Sequence, residues 1–303
     1  MPHEITITRL IDAPRERVFD AWTNPDSLNT WWGPQGFTNT TQSIDVRSGG
    51  VWQFVMHSPD GTDYPNRITF EEIIRPERIT YLHGEDEGRP RDFHTTVTFN
   101  DVGGRTLLTM NMVFATAELR QAALGYWAIE GGHSTVDKLS EFVAAAGGER
   151  RLVLTRIFQA PLAAVWRAWT EAEQIKQWWG PAHFTAPVVE IDFREGGKYL
   201  YAMRDPEGND YWSTGEFIEI APQERIVYTD SFADAQGNVI PAAMFGMGDD
   251  YPDVTTATLT FEDIGEGRTR LTLVGQAPAG EMAEMARAGW STSLDKLAQV
   301  VAR

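Results

Sequence analysis

Cysteine is absent from the 303-residue chain, which excludes disulfides, thiolate zinc sites, cysteine nucleophiles and iron–sulfur clusters. Positive charge is scarce. Lys and Arg number 26 against 43 Asp and Glu, for a net charge of −17, and phosphate backbones and anionic membranes require clustered basic side chains. Neither nucleic acid nor membrane is therefore an expected partner. No stretch approaches the roughly 18 apolar residues of a membrane span, and the opening MPHEITITRLIDAP has no apolar signal core, so a cytoplasmic protein is expected. Also missing are G-x-S-x-G, G-x-G-x-x-G and Walker loops, the sequence signs of an acyl-transfer serine or a phosphate cradle. The six histidines (His3, His57, His83, His94, His133 and His183) form no HExxH or H-x-x-x-H pair. No metal and no cofactor are expected.

What is present is apolar and repeated. Hydrophobic residues make up 42% of the chain and there are 11 Trp, enough for packed cores and against wholesale disorder. The segment RLIDAPRERVFDAWTNPDSLNTWWGPQGFT from Arg9 is matched by RIFQAPLAAVWRAWTEAEQIKQWWGPAHFT from Arg156. The correspondence continues through Asp45-Val46-Arg47 with Gly49-Gly50, matched by Asp192-Phe193-Arg194 with Gly196-Gly197. Glu77-Arg78-Ile79 matches Glu224-Arg225-Ile226, and Asp137-Lys138-Leu139 matches Asp295-Lys296-Leu297. So long a period means duplicated domains and not a solenoid. The joint falls at Gly147-Gly148, giving domains 1–147 and 148–303. Only the second copy carries an additional segment, Asp230 to Asp253.

Within each copy the periodicity predicts a short strand (Ile5–Thr8, Leu152–Thr155), then a helix that accepts Pro14 or Pro161 in its first turn. A second short helix stops at Gly33-Pro34 or Gly180-Pro181. Period-two strands follow, with Trp52, Phe54 and Met56 on one face, matched by Tyr199, Tyr201 and Met203. Their successors are 68–73, 79–83, 95–99 and 106–114, with 214–220, 226–229, 255–261 and 269–274 as equivalents. One long amphipathic helix closes each copy, at 118–146 and 281–302. Strands joined by short turns imply an antiparallel sheet, which only the terminal helix is long enough to cover.

That order resembles the helix-grip fold of the START/Bet v 1-like (SRPBCC) superfamily, and more closely the homologues of the heat-shock protein 90 ATPase activator. The residues that carry the likeness are Ala160-Pro161, Val165-Trp166, Ala168-Trp169-Thr170, Trp178 to Pro181, Asp192 to Gly197, the segment Ala221 to Tyr228, Gly289-Trp290 and Leu294-Asp295-Lys296-Leu297. The resemblance implies an α+β protein of two helix-grip domains, each a curved antiparallel sheet wrapped around a long C-terminal helix, with two short helices after the first strand. It also implies a cavity between sheet and helix. The first copy departs at Gly131-Gly132, where the second has Gly289-Trp290. Two adjacent helical glycines cost about 2 kcal/mol relative to alanine, so either the helix bends there or Tyr126 or Trp127 fills the space of the indole.

Candidate chemistry is sparse. His83, Asp92 and His94 lie where neighbouring strands would bring them together as a metal or acid–base site, or else stand as partly exposed strand histidines. Asp45 with Arg47, and Asp192 with Arg194, suit exposed ion pairs. The glycine pairs 49–50 and 196–197 suit a bulge or close approach between strands. Glu219 becomes a general-acid candidate if it is buried against an apolar cavity.

The aromatic residues Trp31, Trp32, Trp52, Phe54, Trp178, Trp179, Tyr199 and Tyr201 either fill a large core or, with Met203 and Trp290, line a small-molecule pocket. The additional segment holds Phe245 and Met247. It is expected either to fold over the pocket mouth as a lid, so that these two side chains reach the pocket, or to plug the end of the domain.

Three functions stand. The first is a non-catalytic binding protein for an apolar or aromatic small molecule, with the second domain the better binder. The second, which the resemblance implies, is a polyketide cyclase or dehydratase using Glu219, Tyr228 or His83 as acid and base. The third, on the same footing, is an interaction module with a chaperone partner.

Overall fold

The computed structural model describes residues 3–84, 93–125, 128–148, 150–248 and 250–302. The chain divides into two compact units, Met1–Glu149 and Arg150–Arg303, next to the Gly147-Gly148 joint. The first contains β1 (Glu4–Ile11), α1 (Arg15–Thr23), α2 (Pro25–Trp31), β2 (Thr38–Ile44), β3 (Val51–His57), β4 (Asp63–Ile74), β5 (Arg78–Gly84), β6 (Phe93–Val102) and β7 (Arg105–Phe114). It closes with α3 (Ala117–Gly125) and α4 (Ala128–Ala146). The second contains β8 (Arg151–Phe158), α5 (Leu162–Thr170), α6 (Ala172–Trp178), β9 (Thr185–Ile191), β10 (Lys198–Arg204), β11 (Asp210–Ala221), β12 (Arg225–Ala233), β13 (Thr255–Asp263) and β14 (Thr269–Gln276), and closes with α7 (Glu281–Val301).

Each unit is a seven-stranded antiparallel sheet, in the order β1-β7-β6-β5-β4-β3-β2 and β8-β14-β13-β12-β11-β10-β9. The first strand of each unit therefore sits at one edge and the second at the other, and the paired short helices carry the chain across the sheet between them. Register shifts at Phe70/Glu72 and at Phe217/Glu219 mark equivalent irregularities in the two sheets, where a bulge bends the strand. The two edge strands β2 and β9 are the ones that period-two reading does not find. Their sequences, TNTTQSI and TAPVVEI, carry little alternation, and Pro187 is tolerated because an edge strand leaves one side of its backbone unpaired.

The repeated motifs are fasteners. Trp31 and Trp178 are buried pegs whose indole Nε1 donates to Ala21 O at 2.9 Å and to Ala168 O at 2.8 Å. Gly33 and Gly180 follow with φ near +90°, a conformation open to glycine without strain. Lys296 Nζ donates to Gly180 O and Phe184 O, each at 2.9 Å, and so ties the terminal helix to the turn that ends α6. Lys138 reaches the equivalent Phe37 O at 3.3 Å. The glycine pairs are sites of close approach. A Cβ on Gly50 would lie 2.1 Å from Asp45 O, and one on Gly197 would lie 2.0 Å from Asp192 O. Asp45–Arg47 and Asp192–Arg194 are exposed pairs at 2.8 Å.

The terminal helices differ from each other. The helix expected over 118–146 is described over Ala117–Gly125 and Ala128–Ala146; Tyr126 and Trp127, the proposed aromatic replacements, lie outside the described residues. α4 runs unbroken through Gly131-Gly132. A Cβ on Gly132 would lie 2.2 Å from Ile7 Cδ1, so the missing side chain lets the helix seat directly on β1. At the same position α7 carries Trp290.

Candidate ligand cavity of the second domain

A cavity of about 320 Å³ lies within the second domain, between the sheet and α7, at the lower end of the range for small-molecule sites. β8, β13 and β14 contribute Leu152, Ala257 and Leu273 to its wall, and α7 contributes Met285, Gly289 and Trp290. The turn after α6 supplies Trp179 to Pro181, and Met203 comes from β10. Trp179 and Trp290 meet edge to face, with ring centres 5.6 Å apart and planes at 90°, while Trp290 also stacks on Trp169 at 6.2 Å. Half-buried Trp290 is thus part of the wall, and Pro181 packs beside the neighbouring glycine, its Cγ at an ordinary contact distance of 3.5 Å from where a Cβ at position 289 would stand.

The additional segment runs along the cavity. After β12, Asp234 caps a turn by accepting from the backbone N–H groups of Gln236 and Asn238, each at 2.9 Å. A short 3-10 helix (Ala242–Phe245) follows, with Ala242 N donating to Asp253 Oδ1 at 2.8 Å. Met247, Tyr251, Pro252 and Asp253 line the cavity. Phe245 lies one layer farther out, stacked on the lining residue Phe232 at 4.3 Å with 13° between planes. Met244 is 75% exposed, so the segment does not bury every large apolar side chain it carries.

Two carboxyls, Asp230 and Asp253, line this space. Asp230, near the end of β12, lines the cavity and accepts a 2.5 Å hydrogen bond from Tyr199 Oη. Burial raises its pKa above the ordinary carboxylate range, against the opposing effect of the Tyr199 hydrogen bond. Tyr228, two residues earlier and also in the wall, has its phenol pushed up, first by burial and then by the Asp230 charge. Tyr199 is pushed up for the same two reasons, in the same order.

The structure sorts the sequence candidates. Of the aromatic group, Trp179, Met203, Trp290 and Met247 border the cavity, with Tyr228 beside them. Trp178, Tyr199 and Tyr201 enclose only a residual space of about 20 Å³, room for a single water molecule, and pack as core. In the first domain Trp31, Trp32, Trp52 and Phe54 are all buried. Trp52 stacks on Phe54 at 3.9 Å, and Trp32 meets Trp52 at 5.3 Å.

Glu219 is not in the cavity. It is exposed on β11 and faces Arg225 at 3.6 Å, because the bulge after Phe217 puts it on the outer side. His83 and His94 do not converge. They pair with Phe93 and Leu82 respectively, so they point to opposite faces of the sheet: His83 inward, to Asn66 Oδ1 at 2.9 Å, and His94 outward, to Glu71 at 3.3 Å. Asp92 lies outside the described residues. Burial lowers the pKa of His83 from 6.5 to about 4.

Asp230 was missed by sequence reasoning, although a signal existed. Asp230 continues the inward register of Ile226 and Tyr228, and the internal repeat aligns it with His83. Each domain thus places one titratable group at the same inward position of equivalent strands. Among the described residues no cluster of three or more His, Asp or Glu side chains is placed to hold a metal ion, and no helix is long and apolar enough to cross a membrane.

Solved structures similar to the chain include a protein from Chromobacterium violaceum, 29% identical, which covers 50% of this chain and 97% of its own with a TM-score of 0.43. A protein from Nitrosomonas europaea is 27% identical and covers 50% and 94% with a TM-score of 0.41. The AHSA1 protein from Silicibacter pomeroyi is 24% identical and covers 50% and 97% with a TM-score of 0.41. No curated protein matches. The profile of the family described as activator of Hsp90 ATPase homolog 1-like protein matches residues 12–144 and again 159–302, once per helix-grip domain, and the chain belongs to that family.

Proposed function

We propose that this protein binds an apolar or aromatic small molecule in its second domain. The observation that carries the reading is the 320 Å³ cavity bounded by Trp179, Trp290, Tyr228 and Met203 beside a segment that includes Met247 and Tyr251. An apolar wall with a few polar groups is how small-molecule sites are built, and flexible thioethers adapt to varied shapes. The test is displacement of an environment-sensitive naphthalene dye from the full-length protein by a series of aromatic compounds. Saturable displacement with one site per chain is expected, weakened at least tenfold by shortening 233–250 to a Gly-Ser turn. Unaltered affinity in the shortened protein would remove the segment from the site.

A proton-transferring enzyme is the second reading, favoured by the raised pKa of Asp230 against the wall phenol Tyr228. Turnover of a bound compound that is lost in Asp230→Asn supports it. The family description links this chain's relatives to activation of a heat-shock protein 90 ATPase, and stimulation of such an ATPase by the purified protein tests that partner directly.

A further inference from the structure

We propose that the second domain's cavity selects an organic cation, an amine with an apolar or aromatic body whose ammonium group sits between the Asp230 carboxylate and the surrounding aromatic rings. This rests on the small-molecule reading above and names the ligand class.

The charge of the wall comes first. Among the described residues that line the cavity there are two carboxyls, Asp230 and Asp253, and no Lys, Arg or His. Asp253 Oδ1 is engaged by Ala242 N. Asp230 Oδ1 accepts from Tyr199 Oη, while no hydrogen bond among the described residues occupies Oδ2. A carboxylate against an apolar wall without a countercharge is costly. A ligand ammonium supplies that countercharge, a neutral hydrocarbon leaves the cost in place, and a carboxylate ligand adds repulsion.

The aromatic lining comes second. Trp179, Tyr211, Trp212, Tyr228, Tyr251 and Trp290 all border the cavity, and Trp179 and Trp290 stand at right angles. Tryptophan faces attract cations most strongly among aromatic side chains, and more so when the cation is desolvated. The chain's net charge of −17 draws cations toward it at long range. The first domain has His83 where the second has Asp230, so the selectivity belongs to the second domain alone.

Three shape-matched probes test the proposal on the full-length protein by titration calorimetry at neutral pH: naphthylmethylammonium, naphthylmethanol and naphthoate. The ammonium should bind at least tenfold more tightly than the alcohol, with the carboxylate weakest. Asp230→Asn should remove at least tenfold of the ammonium affinity and leave the alcohol within threefold, and His83→Gln should change neither. Asp230→Ser serves where circular dichroism shows the Asn variant unfolded. An alcohol that binds as tightly as the ammonium overturns cation selection while leaving the cavity reading intact. Failure of all three probes to bind overturns the cavity reading and cation selection together.

Discussion

At position 230 a single carboxyl costs the fold stability at neutral pH. Its folded-state pKa lies above the ordinary 3.8 because burial penalises the charged form. The stability it contributes is therefore present below the ordinary value and is lost as pH rises through the folded one. Asp230→Asn keeps an oxygen for Tyr199 and has no charge to bury. The variant should have a higher thermal midpoint than the parent at neutral pH, the difference shrinking to nothing as pH falls toward 3.8. A lower midpoint at neutral pH would show that the carboxylate is stabilised by groups not in the wall. The titratable groups facing it are Tyr199 and Tyr201 on β10, Tyr211 on β11, Tyr228 on β12, and Tyr251 and Asp253 on the additional segment; α7, β13 and β14 contribute none to the wall. His83 behaves in the opposite sense. Its pKa is depressed from 6.5 to about 4, so its contribution is present above 6.5 and is lost as pH falls through about 4. Urea unfolding of the first domain should therefore weaken over that window, and His83→Gln should flatten the loss.

Among the elements, the terminal helices show how one side chain alters a whole contact. Gly132 lets α4 seat on Ile7, and Asp137, on the next turn and a half of that helix, forms an ion pair with Arg9 of β1 that leaves the two side chains only 7% and 9% exposed. Trp290 occupies the matching place on α7, and the equivalent pair Asp295–Arg156 is 57% and 33% exposed. Breaking a buried pair strands a charge, at about 3–5 kcal/mol, whereas a surface pair contributes about 0–1 kcal/mol. Asp137→Ala should therefore lower the stability of the first domain by several kcal/mol in denaturant titration, and Asp295→Ala should change the second by less than about 1 kcal/mol. Equal losses in the two domains would mean that the difference in burial has no energetic consequence.

At the scale of the molecule, each unit has its own seven-stranded sheet and its own core cluster. Residues 1–149 and 150–303 expressed separately should each give a cooperative unfolding transition, as independent cores imply. Only the second half should displace the dye with the affinity of the whole protein. Loss of folding in both halves would mean that neither core suffices alone. Duplication followed by divergence at a few inward positions, Gly132 against Trp290 and His83 against Asp230, leaves two copies of one fold with different interiors.

Sequence alone determined the repeat, the order of elements, the antiparallel sheet and the long closing helix of the second copy, because these follow from periodicity and from the fixed behaviour of proline and glycine. It also marked Trp179, Trp290, Met203 and Met247 as pocket candidates. The edge strands β2 and β9 escaped, since an edge strand needs little apolar alternation. Tertiary structure decided which aromatic rings are wall and which are filler: Tyr199 and Trp179 are both apolar-facing in sequence, yet only Trp179 borders the cavity. It also excluded Glu219, whose facing is reversed by a bulge that no propensity signals, and brought in Asp230, whose burial depends on strands distant in sequence. Side-chain periodicity fixes which way a residue points, but whether space or another side chain lies in that direction is set by the packing of elements far apart in the chain.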